Sequence, residues 1–166
     1  MQGLAGVKVL ELGHLASAAY AVKLMADLGA EVIKVEEPDG DHARRRGPFP
    51  GGVVDPEKSG LFLYLNTNKR GITLDFRQER DTLSRLVAWA DILVHNYAPA
   101  SMAALGIDYS TFREINPRLV MCSATPFGLT GPHKDYKAYE LTLAHGGGWA
   151  WLSPGGSDRP DLPPLK

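Results

Sequence analysis

Val7-Lys8-Val9-Leu10-Glu11-Leu12 decides the fold, together with the turn Gly13-His14-Leu15-Ala16-Ser17 behind it and Val32-Ile33-Lys34-Val35 further on. The first six residues read as a buried strand. Residues 16–29 read as a helix, with Ala21, Leu24, Met25 and Leu28 at helical spacing and Gly29 as its stop. Val32 to Val35 is a second strand. A strand, a helix and a strand in this order form a β-α-β unit, so the two strands are expected to be parallel.

The alternation continues outward. Residues 37–60 are rich in Pro and Gly and read as a long surface loop, of a length that is usually functional or mobile. Ile72 to Asp75 is a short strand, and residues 77–90 a helix with Leu83, Leu86, Val87 and Ala90 on one face. Ile92 to Val94 is the next strand. Short helices are expected over 101–105 and 110–115, the latter closed by Pro117. Leu119 to Ala124 reads as a further buried strand with Cys122 inside it as an inert thiol. Residues 136–145 read as a helix ended by Gly146-Gly147-Gly148, and the tail after Trp151 as extended loop. Strands alternating with helices predict an α/β, Rossmann-like, mostly parallel sheet with helices on both faces.

The 166 residues suffice for one domain with a real core, and 44% hydrophobic against 22% charged residues is ordinary for a globular chain. A net charge of -1 gives no reason to expect nucleic acid or an anionic membrane as partner. No apolar run is long enough to span a bilayer, and the N-terminus lacks the pattern of a signal peptide. A lone cysteine forms no internal disulfide, so a reducing cytoplasm is the simplest compartment.

The first turn invites a dinucleotide reading. That fingerprint needs three glycines for close backbone approach to a pyrophosphate, and only Gly13 is present. Glu36, at the end of the second strand where an acid would hold a ribose, is weak support alone. Histidines 14, 42, 95, 133 and 145 show no zinc-like spacing with cysteine or aspartate, so no metal is assigned. His14 lies in the first turn, as polar lining or as a satisfied structural group. Arg44-Arg45-Arg46 reads as a solvated run, as does Lys69-Arg70 if taken alone. Asn96 ends a strand on the carboxyl edge, where ligands of open α/β sheets gather, although a cap or turn role suits an asparagine equally.

Three strings in order point further: Asn66-Thr67-Asn68-Lys69-Arg70-Gly71-Ile72-Thr73-Leu74-Asp75, then Ala90 through Tyr97, then Asn116-Pro117-Arg118-Leu119-Val120 through Phe127-Gly128-Leu129-Thr130-Gly131-Pro132. Together they resemble the class III CoA-transferase family, of the formyl-CoA transferase, L-carnitine dehydratase and bile-acid-inducible protein F type. The resemblance covers nearly the whole chain and corresponds to the N-terminal portion of a longer protein. It implies that residues 1–166 belong to the large CoA-binding α/β domain. The resemblance further implies a small domain and a C-terminal stretch that returns to the large domain, both expected outside residues 1–166. The resemblance also implies an interlocked homodimer for the complete protein.

By that resemblance, coenzyme A or acyl-CoA is substrate, with no permanently bound cofactor, and the CoA contacts are Ala16, Ser17, Leu74, Asp75, Phe76, Arg77, Asn96, Tyr97, Ala98, Lys137, Ala138 and Tyr139. Glu140 is an auxiliary catalytic candidate, whose aromatic and glycine neighbours would raise its pKa by desolvation, with a plain helix-surface glutamate as the alternative reading. The family transfers CoA between an acyl-CoA and a carboxylic acid. An aspartate attacks the thioester, forms a mixed anhydride and then carries CoA to the acceptor as an enzyme thioester. That aspartate is expected beyond Lys166. Leu162-Pro163-Pro164-Leu165-Lys166 resembles the approach to it, and Asp158 and Asp161 lack the following context. The isolated chain is therefore expected to be inactive. Ala16 stands where oxalate-type members carry glutamine, and Glu37 and Ala104 where some members carry CoA-binding arginines. Two alternatives remain. A 2-methylacyl-CoA racemase of the same family would need histidine where Tyr139 stands, and a non-catalytic CoA-binding module would keep the fold alone.

Overall fold

The computed structural model describes residues 2–152. In chain order it contains β1 (Lys8–Leu12), α1 (Ser17–Asp27), β2 (Glu31–Glu36), 3-10 turns at His42–Arg45 and Pro50–Gly52, α2 (Gly60–Leu65), β3 (Arg70–Thr73), α3 (Arg80–Trp89), β4 (Ile92–His95), α4 (Pro99–Leu105), α5 (Tyr109–Ile115), β5 (Val120–Ser123), α6 (Glu140–Gly146) and α7 (Trp149–Leu152). The chain divides after Thr125 into two units, and the first holds the sheet.

Five strands pair in the order β3-β2-β1-β4-β5, and every pairing is parallel. β1 is central and buried on both faces, which is why Val9, Leu10 and Leu12 run almost without a polar break. Leu10, Leu12, Val35 and Leu93 pack one face against Leu83 and Val87 of α3, Met102 of α4 and Phe112 of α5. Val9, Val32 and Val94 pack the other against Ala18, Val22 and Ala26 of α1. β2 lies on one side of β1 and β4 on the other, so the strand order reverses at β1. The crevice at the carboxyl ends of β1 and β4 is the expected ligand position in such a sheet.

Several expectations change in detail. α1 buries Ala18, Ala19, Val22 and Ala26; of the expected face only Met25 packs against the core, partly buried, while Ala21 is exposed, Leu24 is 47% exposed and Leu28 55%. Ala18, Val22 and Ala26, at four-residue spacing, let the helix sit close on the sheet, which larger side chains would prevent. Gly29 does stop the helix, at φ 99, with its N–H donating to the Ala26 carbonyl. β5 is an edge strand rather than a fully buried one: Val120 is 61% exposed, and Cys122 is an exposed free thiol instead of a buried one. The 37–60 segment is ordered by 3-10 turns and by Ser59, whose hydroxyl caps α2 by accepting from Phe62 N at 3.1 Å.

In the second unit α6 starts at Glu140, so 136–139 are not helical; Tyr139 is extended at φ -120 and ψ 167 and serves as the N-cap. Phe127, His133 and Tyr136 pack ring against ring ahead of it, with His133 and Tyr136 centroids 4.8 Å apart. Asp158, Asp161 and the 162–166 approach lie outside the described residues. No helix among the described residues is long and apolar enough to cross a membrane.

Candidate functional site

The turn from β1 into α1 is gripped from two sides. Asn96, immediately after β4, accepts from His14 N at 2.9 Å through Oδ1. Its Nδ2 donates to the His14 carbonyl at 2.6 Å and to Ser17 Oγ at 3.0 Å. Gly13 makes this approach possible, because a Cβ there would stand 2.8 Å from Asn96 Oδ1 and 3.0 Å from the Ala18 Cβ. The Asn96 side chain is thus committed to the turn. Ala16 and Ser17 are exposed at the start of α1, which has no side-chain cap. Its first N–H groups lack intrahelical acceptors, and the positive end of the helix favours an anion there.

Tyr97 points inward beside them. Its hydroxyl donates to Glu37 Oε1 at 2.8 Å and lies 3.1 Å from His14 Nε2. With the Tyr97 hydroxyl proton directed at Glu37, His14 donates to the phenolic oxygen from Nε2. Nδ1 of His14 is then the bare nitrogen, and it is buried without a hydrogen-bond partner among the described residues. Burial, and then the neighbouring His42, lower the His14 pKa. The two imidazoles are stacked at 4.6 Å. Burial, reinforced by Glu37, pushes the Tyr97 phenol above its ordinary range. Phe76 meets the Tyr97 ring edge-on at 6.1 Å, which brings the segment after β3 to the same edge.

Leu74 and Phe76 are core residues at 1% exposure each. Leu74 N donates to the Glu36 carbonyl at 2.9 Å, tying this segment to the end of β2. Asp75 Oδ1 accepts from Arg77 N at 2.8 Å, and Arg77 is exposed. Ala98 is the exposed N-cap residue of α4. Ala16, Ser17, Asn96, Tyr97, Ala98 and the 74–77 segment therefore share the carboxyl edge of the first unit. Lys137, Ala138, Tyr139 and Glu140 belong to the second unit. Lys137 and Glu140 are exposed, Ala138 is half-buried and Tyr139 is 74% exposed. Glu140 is exposed, in contrast to the desolvated setting expected.

Beneath the edge lies a buried charge cluster. Glu11 and Lys34, cross-strand partners in register, are joined at 2.8 Å, and Lys34 also donates to the Gly13 carbonyl at 3.1 Å. Lys34 pairs with Asp41 Oδ2 at 2.8 Å, and Lys69 with Glu11 Oε2 at 2.7 Å. Burial disfavours the Lys34 ammonium, but Glu11 and Asp41 outweigh it and hold its pKa above the usual value. Burial also opposes the Asp41 carboxylate, yet Lys34 and the N–H groups of Ala43 and Leu15 hold its pKa low. For Lys69 burial prevails and the pKa is lowered. Lys69 is therefore a structural counter-ion rather than a solvated loop residue. Glu36 is likewise occupied: Arg44 grips it side-on at 2.7 and 2.9 Å, so it does not await a ribose, and Arg44 is not solvated. Arg45 and Arg46 are exposed.

His95 is 1% exposed at the tip of β4. Its Nδ1 accepts from Tyr97 N at 3.2 Å, which puts the ring proton on Nε2, 2.5 Å from Ser123 Oγ. Burial lowers its pKa to about 4. In this tautomer His95 donates to Ser123 and cannot act as its base, so the pair braces β4 on β5. Sequence reasoning missed Asp41, His42 and His95, because their contacts to Leu15, His14 and Ser123 come from segments distant in sequence. Among the described residues, no group of three or more His, Cys, Asp or Glu could hold a metal ion.

A sequence model of the family described as CoA-transferase family III matches residues 4–166. The chain is 35% identical over 168 residues to the succinate–glutarate CoA-transferase of Agrobacterium fabrum, covering 98% of this chain and 41% of that protein. It is 38% identical over 165 residues to the formyl-CoA:oxalate CoA-transferase of Streptomyces avermitilis, covering 97% and 38%. Among solved structures, a CAIB/BAIF family protein from Brucella suis superposes with a TM-score of 0.86 at 37% identity, over 99% of this chain and 43% of that one. A hypothetical protein from Mycobacterium tuberculosis gives 0.82 at 30% identity, over 99% and 44%. The chain thus spans about two fifths of the length of the relatives it matches.

Proposed function

This chain belongs to CoA-transferase family III, and from that premise we propose that the carboxyl edge of its sheet is a cradle for coenzyme A. The observation that carries the reading is the meeting of Ser17 and Asn96 at the point where the strand order reverses. The ligand would lie on the uncapped start of α1 at Ala16 and Ser17, on the backbone of Leu74, Asp75, Phe76 and Arg77, and on Asn96, Tyr97 and Ala98. By resemblance to the family, Lys137, Ala138 and Tyr139 are proposed as further CoA contacts, with Glu140 as an auxiliary group. Because the polar atoms of the Asn96 side chain hold the turn, the contact proposed at that position is made by backbone.

In the whole protein, the reaction we propose is CoA transfer between an acyl-CoA and a carboxylic acid. An aspartate carboxylate adds to the thioester carbonyl and expels CoA as thiolate, leaving a mixed anhydride. The thiolate then attacks the aspartyl carbonyl and releases the donor acid. The acceptor carboxylate and the enzyme thioester pass through the same two steps in reverse. Each step is easier than direct exchange, provided water is kept from the anhydride. The attacking aspartate is assigned beyond Lys166, and residues 1–166 to the N-terminal part of the large domain. A reducing cytoplasm and an interlocked homodimer complete the proposal.

Calorimetric titration of the 1–166 chain with CoA, and separately with NAD, tests the cradle. Saturable binding of CoA without NAD binding is expected, and preference for NAD would contradict it. Robust acyl-CoA-dependent transfer by 1–166 alone would contradict the placement of the nucleophile.

A further inference from the structure

We propose that Asp41 is the positioning residue of this cradle, fixing through the Leu15 N–H the turn on which Ala16 and Ser17 are presented. The inference rests on the CoA reading of the strand tips and adds to it a residue outside the contact set.

Leu15 sits at φ 59, in the left-handed region that a branched side chain rarely adopts. Such a conformation persists only where its surroundings over-determine it. Here the turn is held at successive backbone groups. Lys34 donates to the Gly13 carbonyl, and Asn96 grips both His14 N and the His14 carbonyl. Asp41 Oδ1 accepts from Leu15 N at 2.8 Å. The same oxygen accepts from Ala43 N at 2.8 Å, so one carboxylate joins the turn after β1 to the segment after β2.

Asp41 is itself immobile. It is 1% exposed, its Oδ2 is 2.8 Å from Lys34 Nζ, and its own N–H donates to Glu36 Oε2 at 2.9 Å. Lys34 is anchored in turn on Glu11. A charge fixed on the sheet therefore dictates the conformation of a surface turn. Charge-assisted bonds to a carboxylate are the stronger class, which suits a group that must hold a strained residue. The residue after Asp41 is His42, whose ring stacks on His14 of the same turn. A turn set before the ligand arrives spares the ordering cost of binding.

The test is calorimetric titration of CoA into the wild-type chain, Asp41→Ala, Asp41→Asn and the double variant Asp41→Ala/Leu15→Gly, with each fold checked by circular dichroism. Asp41→Ala is expected to weaken CoA by about tenfold, as when the competent turn falls to roughly a tenth of the population. Asp41→Asn keeps an oxygen for the Leu15 N–H and should weaken binding by less than about threefold on the same relation. Glycine at 15 reaches positive φ without steric cost, so the double variant should recover most of the lost affinity. Wild-type affinity in Asp41→Ala, or equal losses in Ala and Asn variants with no rescue by glycine, would overturn the proposal. If Asp41→Ala does not fold, amide exchange of the wild-type chain decides. A slowly exchanging Leu15 N–H, with Ala16 and Ser17 amides shifting on CoA addition, supports the role, and a Leu15 N–H that exchanges like an open loop removes it. A wild-type chain that does not bind CoA removes the cradle and this role together. A wild type that binds alongside an unaffected Asp41→Ala removes the Asp41 role alone.

Discussion

At pH 7 the His95 imidazole is neutral, since burial lowers its pKa to about 4 while an unfolded histidine titrates near 6.5. Between those values the unfolded chain holds the extra proton, so stability falls as pH drops from 6.5 to about 4 and loses nothing further below. The gap corresponds to about 3 kcal/mol. Replacing His95 with Gln should remove this dependence: the stability difference between wild type and His95→Gln, from urea unfolding, narrows by about that amount from pH 7 to pH 4. An equal difference at both pH values would contradict the assignment. Asp41 and Glu36, both held low, contribute stability above the usual carboxylate pKa that is lost as pH falls through their lowered folded values. That limb is common to both proteins and cancels. Little of this was legible in the sequence. His95 reads as one more unpaired histidine until β5 brings Ser123 to it across 28 residues.

The pairing of β1 with β2 depends on charge as well as apolar burial. Lys34→Met leaves Asp41 without its cation and Glu11 with Lys69 alone in the interior, and should cost about 3–5 kcal/mol in urea unfolding; a loss under about 1 kcal/mol would show the cluster to be dispensable. Gly13→Ala drives a Cβ into Asn96 and Ala18 at the β1–α1 junction. It should cost about 1–3 kcal/mol, read as a lower melting temperature, and an unchanged melting temperature would mean the turn yields freely. At this scale the sequence was informative. The order of the five strands and of α1, α3, α4 and α5 follows from apolar runs and glycine stops, whereas α2 has no such reading and β3 lies at Arg70–Thr73, two residues before the expected strand. The buried face of α1 was misread because its leucines outweigh its alanines by hydrophobicity alone, whereas fit to the sheet selects the small residues. Lys34 was visible in its strand, but its partner depended on a register that only the folded sheet defines.

For the chain as a whole, the parallel strand order and the family support the proposal of a cradle at the carboxyl edge, which lies in a stretch spanning about two fifths of the relatives' length. The predicted contacts before Thr125 gather there because parallel strands deliver every βα turn to one side. The contacts at 137–140 were read by resemblance to the family alone. The central claim is that these strand tips hold CoA. Its most direct test is amide chemical-shift mapping of the 1–166 chain during titration with CoA. The account predicts saturable shifts concentrated at Ala16, Ser17, Leu74 to Arg77 and Asn96 to Ala98. Shifts confined to other surfaces, or none at saturating CoA, would contradict it.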